Sequence, residues 1–139
     1  MRLGITVDMS GPHPKLDMDR VLEAERLGFS QVWTGEAYST DAVTPVAWIL
    51  ARTTKIHAGT GIMQMPARTP ACAAMTVLSL QALSGNRFML GIGAGWREEE
   101  YVAYDFPFPK PSVRFAQLEE LVHICRAMWT QDSPTFEGV

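Results

Sequence analysis

Glu36 and Tyr38 are the first residues whose types and placing suggest chemistry. They sit in Thr34-Gly35-Glu36-Ala37-Tyr38, directly after the strand-like run Gln31–Thr34. A carboxylate at a strand's exit can hydrogen-bond a flavin-type ring, or move a proton if its pKa is raised. A tyrosine beside it can donate to a cofactor carbonyl. Position alone also suits a loop acid or helix cap for Glu36, and packing for Tyr38. A second group is bare rather than reactive. Gly59 and Gly61 flank Thr60 within the run Ile56–Met63, and glycine inside a strand marks a bulge or the close approach of another group. A flat ring pressed on the backbone needs that bareness, and so does a barrel corner. The third group is Gly91-Ile92-Gly93-Ala94-Gly95-Trp96. Its glycines are spaced GxGxG and follow the fourth strand-like run, whereas the dinucleotide fingerprint is GxGxxG after a first strand. The backbone amides here still suit a phosphate or a ring. Trp96 can wall a pocket or pack under the loop.

The remaining polar candidates carry less. Glu98, Glu99 and Glu100 read as a solvated run at the positive end of a helical turn. His13, His57 and His123 show no metal-ligand spacing. His57 reads as a packed strand residue, and only His13, in the loop after the first strand, falls near a pocket. Cys72 and Cys125 are far apart and form no CxxC pair. They read as buried small hydrophobes in a reducing cytoplasm.

The elements that must position these residues follow from pattern. Strand-like runs at Leu3–Val7, Gln31–Thr34, Ile56–Met63 and Phe88–Gly93 alternate with helical stretches. The first helix covers about Asp17 to Leu27, with Gly28 ending it. The second is expected to begin at Thr44-Pro45 and the third at Thr69-Pro70, each an N-cap followed by proline. The third ends at Gly85-Asn86. The fourth follows Pro111-Ser112, and its Phe115, Leu118, Leu121, Val122, Cys125 and Trp129 recur at helical spacing. Strand and helix in strict alternation predict an α/β fold with a parallel sheet and right-handed crossovers. The start-to-start spacing of the strands approaches that of a (β/α)8 barrel. In such folds ligands bind beyond the carboxyl ends of the strands, where all three groups of candidates lie.

Composition narrows the function. A chain of 139 residues, 47% hydrophobic and 19% charged, suits a single globular domain over residues 1–139. Its net charge of -3 gives no drive toward phosphate backbones, so nucleic acid is not expected as a partner. The opening residues reach Asp8 before any signal-peptide apolar run can form. No stretch is apolar enough to span a bilayer, and the expected location is the cytoplasm. The third helix has no charged residue between Arg68 and Arg87. A neutral helix on the outer layer of a barrel implies a covering surface, so a homodimer through it is expected. Cover by loops of the same chain fits the pattern equally.

In combination, these runs resemble a known family. Gly35-Glu36-Ala37-Tyr38, the stretch from Gly59-Thr60-Gly61-Ile62 to Thr69-Pro70, and Leu83-Ser84-Gly85-Asn86-Arg87-Phe88 with Leu90-Gly91-Ile92-Gly93 resemble the luciferase-like monooxygenase superfamily. The match is to its branch of oxidoreductases that use coenzyme F420, a deazaflavin. Gly95-Trp96 with Glu98–Tyr101, and Arg126–Thr130 with Phe136-Glu137-Gly138, also occur there. The resemblance implies a TIM-type barrel and a redox enzyme moving a hydride between F420 and a small organic substrate; FMN in a monooxygenase is the alternative. It implies a bulge after the third strand, often with a non-prolyl cis peptide, at Gly61-Ile62. It implies Gly61, Ile62 and Met63 backing the ring, Gly93, Ala94, Gly95 and Trp96 lining the site, and Glu36 with Tyr38 beside the reacting centre. Ala37 stands where the family often has histidine, which weakens a histidine-based proton transfer.

Members of the superfamily are about twice this length. Four βα units make half a barrel, with open sheet edges and an apolar inner face. A truncated longer protein, two copies completing one barrel, or an open sheet would each fit, and the first is favoured. A non-catalytic dimerising or binding module is the rival function.

Overall fold

Residues 2–37, 40–103 and 105–138 are described by a computed structural model. Tyr38 lies outside these residues. The chain forms two compact units, Met1–Met63 with Leu80–Ile92, and Gln64–Ser79 with Gly93–Val139.

The first unit is built on a parallel sheet. β1 (Gly4–Val7), β2 (Gln31–Thr34), β3 (His57–Thr60) and β5 (Phe88–Met89) pair in the order β1-β2-β3-β5. Successive residues alternate between faces. Val7, Val32, Ala58, Thr34 and Thr60 are all buried. The helices that connect the strands explain this. α1 (Met18–Arg26) buries Val21 and Ala24. α2 (Val43–Arg52) buries Val46, Ile49 and Leu50, a stripe at positions i, i+3 and i+4, and packs on β2 and β3. Burying each such side chain stabilises the fold by about 1.5–3 kcal/mol. The other face carries the register row Thr6, Trp33, Gly59 and Met89. Thr6 and His57 on that face are exposed. It is mixed in polarity, where an apolar inner face was expected: Gln31 and His57 share it, and Gln31 Nε2 donates to Met89 Sδ at 3.7 Å. The exposure of His57 also corrects its reading as a packed residue.

Helix ends follow local chemistry. Asp17 caps α1 by accepting from the Arg20 N–H at 3.0 Å, and Gly28 leaves it at φ +83°. α2 starts at Val43, slightly before the expected Thr44 cap. The acceptor there is Asp41, which takes the Thr44 N–H at 2.7 Å. A carboxylate reaching forward did the work expected of a threonine. α3 (Pro70–Ser84) begins as expected, with Thr69 Oγ1 accepting the Cys72 N–H at 3.2 Å. Gly85 and Asn86 end it with φ of 64° and 63°. The next residue, Arg87, spends all five N–H donors inside the first unit. Nε donates to the Ser84 carbonyl, Nη1 to Thr53 Oγ1 and the Ile56 carbonyl, and Nη2 to the Leu50 and Thr53 carbonyls, at 2.8–3.0 Å.

Both long strand-like runs break. After β3, the chain passes Gly61-Ile62 before the two-residue β4 (Met63–Gln64) and a 3-10 turn at Met65–Ala67. The run from Phe88 yields β5 and then β6 (Ile92–Gly93).

The second unit holds α4 (Glu98–Ala103) and α5 (Pro111–Thr130). On α5, Leu121 and Cys125 are buried while Phe115 is 61% exposed, so the expected stripe is covered only in part. Trp129 Nε1 donates to the Ala74 carbonyl at 3.2 Å. Cys72 is exposed, unlike the buried Cys125, which corrects the expectation of two buried thiols. Among the described residues no helix is long and apolar enough to cross a membrane.

Candidate cofactor site

In the first unit, the ends of β2, β3 and β5 are tied together by backbone. The Gly61 N–H donates to the Thr34 carbonyl at 2.6 Å, and the Met63 N–H to the Gly91 carbonyl at 2.8 Å. Thr60 Oγ1 both donates to the Gly91 carbonyl and accepts the Gly91 N–H, at 2.8 and 3.1 Å. This embrace requires glycine at position 91, because a Cβ there would lie 2.1 Å from the Thr60 carbonyl oxygen. The peptide bond Gly61–Ile62 is cis, at the place the family resemblance implies. Gly61 and Ile62 are both exposed.

Glu36 is brought to this segment. Its N–H donates to the Ile62 carbonyl at 3.2 Å, and its Oε1 accepts the Ala42 N–H at 3.3 Å, at the start of α2. The side chain is thus tied to the backbone just ahead of α2. Thr34 Oγ1, from the same turn, donates to the Ala42 carbonyl at 2.8 Å.

Gly59 serves a different purpose from the ring contact considered for it. A Cβ at Gly59 would meet Trp33 Cζ3 at 2.6 Å and the Met89 carbonyl at 2.8 Å. Its bareness accommodates the indole of Trp33. At Gly61 the nearest atom to such a Cβ is Trp33 Cε3 at 3.6 Å, which is ordinary contact. Of the two glycines, only Gly61 remains available to a planar ligand.

In the second unit, the segment after Gly93 is held by side chains from α4 and α5. The Tyr101 hydroxyl donates to the Ala94 carbonyl, and Arg114 Nη1 donates to the Gly95 carbonyl at 2.6 Å. Gly95 has φ +70° and lies against the Tyr101 ring, so a Cβ there would be strained and 3.0 Å from Cε2. Arg114 also lies over the Phe108 ring at 4.2 Å. Tyr101 meets Phe108 edge-on, with centroids 5.0 Å apart. Burial pushes the Tyr101 hydroxyl above its ordinary pKa, and the Arg114 guanidinium opposes that only in part. Trp96 is 81% exposed, with Arg97 5.7 Å from its ring centre. Of the acidic run, Glu100 departs from the solvated reading: it is 3% exposed and accepts from Gln64 Nε2 at 2.7 Å.

Sequence reasoning passed over Arg114. Its Nη1 holds the Gly95 carbonyl, and its Nε is buried without a hydrogen bond among the described residues. Its hydrogen bond to Gly95, its place over Phe108 and its charge beside Tyr101 make it a group that positions the Ala94–Gly95 segment. Its distance in sequence from Ala94–Trp96 concealed it, and only the helical position of α5 brings it there.

A family model for luciferase-like monooxygenases matches residues 5–139. The chain belongs to the luciferase-like monooxygenase family. A provisionally named coenzyme F420-dependent oxidoreductase of Mycobacterium tuberculosis is 38% identical over 96% of this chain and 38% of its own length. An FMNH2-dependent dimethylsulfone monooxygenase of Pseudomonas putida is 30% identical over 88% of this chain and 36% of its own. Among solved structures, a monooxygenase of Streptomyces bottropensis superposes with TM-score 0.85 at 27% identity, covering 100% of this chain and 46% of that one. An F420-dependent secondary alcohol dehydrogenase bound to an F420–acetone adduct gives TM-score 0.80 at 25% identity, over 99% and 46%. The chain thus spans less than half the length of each of these relatives. Its four-stranded parallel sheet with intervening helices is part of their TIM-type barrel.

Proposed function

We propose that this chain contributes the N-terminal half of an F420-dependent oxidoreductase that transfers a hydride between the deazaflavin and a small organic substrate. The observation that carries the reading is the 38% identity with an F420-dependent relative over 96% of the chain. FMN in a monooxygenase is the second reading, favoured by the relative at 30%. The coenzyme supplies the hydride chemistry when bound, and the residues of this chain bind and orient it. In the first unit, Gly61, Ile62 and Met63 back a planar ring, and Glu36 fixes the Ile62 carbonyl through its own N–H. Tyr38, outside the described residues, is assigned beside the reacting centre by its place in the sequence. In the second unit, Gly93, Ala94, Gly95 and Trp96 are assigned to cofactor contact by the family resemblance, and Arg114 fixes the Gly95 carbonyl.

We also propose that two copies associate through α3, whose outward residues are neutral. A purely structural role as a dimerising module would rest on that helix alone.

Titrating the chain with F420 and, separately, with FMN tests the assignment. The expected result is saturable binding of F420, followed by its fluorescence, and weaker binding of FMN. Reversed preference would select the monooxygenase reading. A well-folded chain that binds neither would overturn the cofactor assignment for these 139 residues.

A further inference from the structure

We propose that the second unit carries a small-molecule site of its own, and that its ligand is an aromatic or alicyclic compound bearing one hydroxyl or carbonyl oxygen. A cleft of about 460 Å³ opens within this unit, and its wall includes Met65, Pro66, Tyr101, Phe106, Pro107 and Leu121. That volume falls in the range of roughly 300–1,000 Å³ typical of small-ligand pockets.

The wall is preset rather than recruited. Tyr101 and Leu121 are each 2% exposed, so their side chains are already fixed by packing. Proline rings hold the backbone at a set φ on two sides. Phe106, at the rim, is 49% exposed and presents an uncovered ring. Rigid apolar walls of this kind lose little conformational entropy on binding.

The polar groups define the ligand's class. Arg68 and Glu120 also reach the cleft, but each is already engaged within the protein. Their opposite charges leave no net field that would select an ion. Thr69 also lines the cleft, with its hydroxyl oxygen accepting the Cys72 N–H, while Gln117, exposed on the wall, offers both a donor and an acceptor. One hydroxyl or carbonyl oxygen on an otherwise apolar body matches that set. A larger cavity of about 720 Å³ beside α2 in the first unit is less suited. The ring face of its Trp48 already carries the Arg52 guanidinium at 4.2 Å.

The cleft also adjoins a segment assigned to the coenzyme. The Tyr101 ring walls it, while the Tyr101 hydroxyl holds the Ala94 carbonyl. An occupant pressing on this ring would be sensed at Ala94.

The test uses 2-naphthol as probe, followed by amide shifts of the isotopically labelled chain with no coenzyme present. Saturable shifts grouped at residues 65–69, 101–106 and 117–121 are expected. Ala67→Trp, at an exposed position on the wall, should fill the cleft and weaken binding at least about tenfold. Phe106→Ala should weaken it by a similar factor if the tryptophan variant does not fold. Gln117→Leu should remove the preference for 2-naphthol over naphthalene. Absence of saturable shifts at millimolar probe, shifts centred on Trp48, or unchanged binding by the folded variants would overturn the proposal. Because the sample holds no coenzyme, failure here leaves the F420 assignment standing, and failure of F420 binding leaves this site standing.

Discussion

Glu25 shows how much one side chain can organise. From the last turn of α1, its Oε1 accepts the N–H groups of Thr54, Lys55 and Ile56 at 2.9, 2.6 and 2.9 Å, where the chain enters β3. Burial works to raise its pKa. The amides of Ile56, Lys55 and Thr54, with the Arg87 charge, outweigh burial and hold the carboxyl below its ordinary 4.5. The folded group therefore keeps its charge to lower pH than the unfolded one. The stability it contributes is complete above 4.5 and is lost as pH falls through the depressed folded value. Glu25→Gln should lower stability at neutral pH and flatten the acid limb of the stability curve. Denaturant midpoints taken across that range would show it, and parallel wild-type and variant curves would contradict it. Arg87→Lys replaces a five-donor fork with a three-donor ammonium and strands several carbonyls; a loss of roughly 2–3 kcal/mol is expected in urea unfolding. Glu36→Gln keeps an oxygen for the Ala42 N–H, so stability should change by less than about 0.5 kcal/mol. If Glu36 also acts on the coenzyme, turnover should fall by far more than stability. An equal loss of both would leave it only a tie to the backbone ahead of α2.

Elements were legible where one local signal decided them. Thr69-Pro70 and Gly85-Asn86 bounded α3 because a cap, a fixed φ and two left-handed residues act within a few positions. The α2 start was displaced because Asp41, outside the Thr-Pro pair, supplied the acceptor. Glu100 and Arg114 were illegible for another reason: their meaning comes from Gln64 and Gly95, which lie 36 and 19 residues away. Candidate glycines divided on the same ground. Gly59 answers to Trp33 on the neighbouring strand, which no reading of its own run reveals. α3 itself supports a prediction. Ala73, Ala74, Val77 and Leu80 are buried, while Met75 and Leu78 are 60% and 48% exposed. Ala71, Met75, Leu78 and Ala82 repeat at 4-3-4 spacing, the seam of helix pairing. Sedimentation should give twice the 15.4 kDa chain mass for the wild type and the single mass for Met75→Glu/Leu78→Glu. A wild-type chain that is monomeric at micromolar concentration would remove the interface.

For the molecule as a whole, the alternation of strand and helix was enough to fix the α/β class, and the combination of short runs pointed to the family. The substrate was not legible, and this chain spans only 38% of the Mycobacterium tuberculosis relative and 46% of the Streptomyces bottropensis monooxygenase. One feature of the sheet reaches beyond the finished fold. Its strands pair in the order in which the chain is made, β1 with β2, β2 with β3 and β3 with β5. Each of β2, β3 and β5 therefore meets its neighbour already present when it leaves the ribosome, while the outer edge of β1 has no partner in this sheet. Loop closure spans one βα unit at a time, which keeps the entropic cost of every step small. Synthesis can proceed as stepwise addition along a growing edge, with the outer edge of β1 and that of the last strand made the two open to a wrong partner.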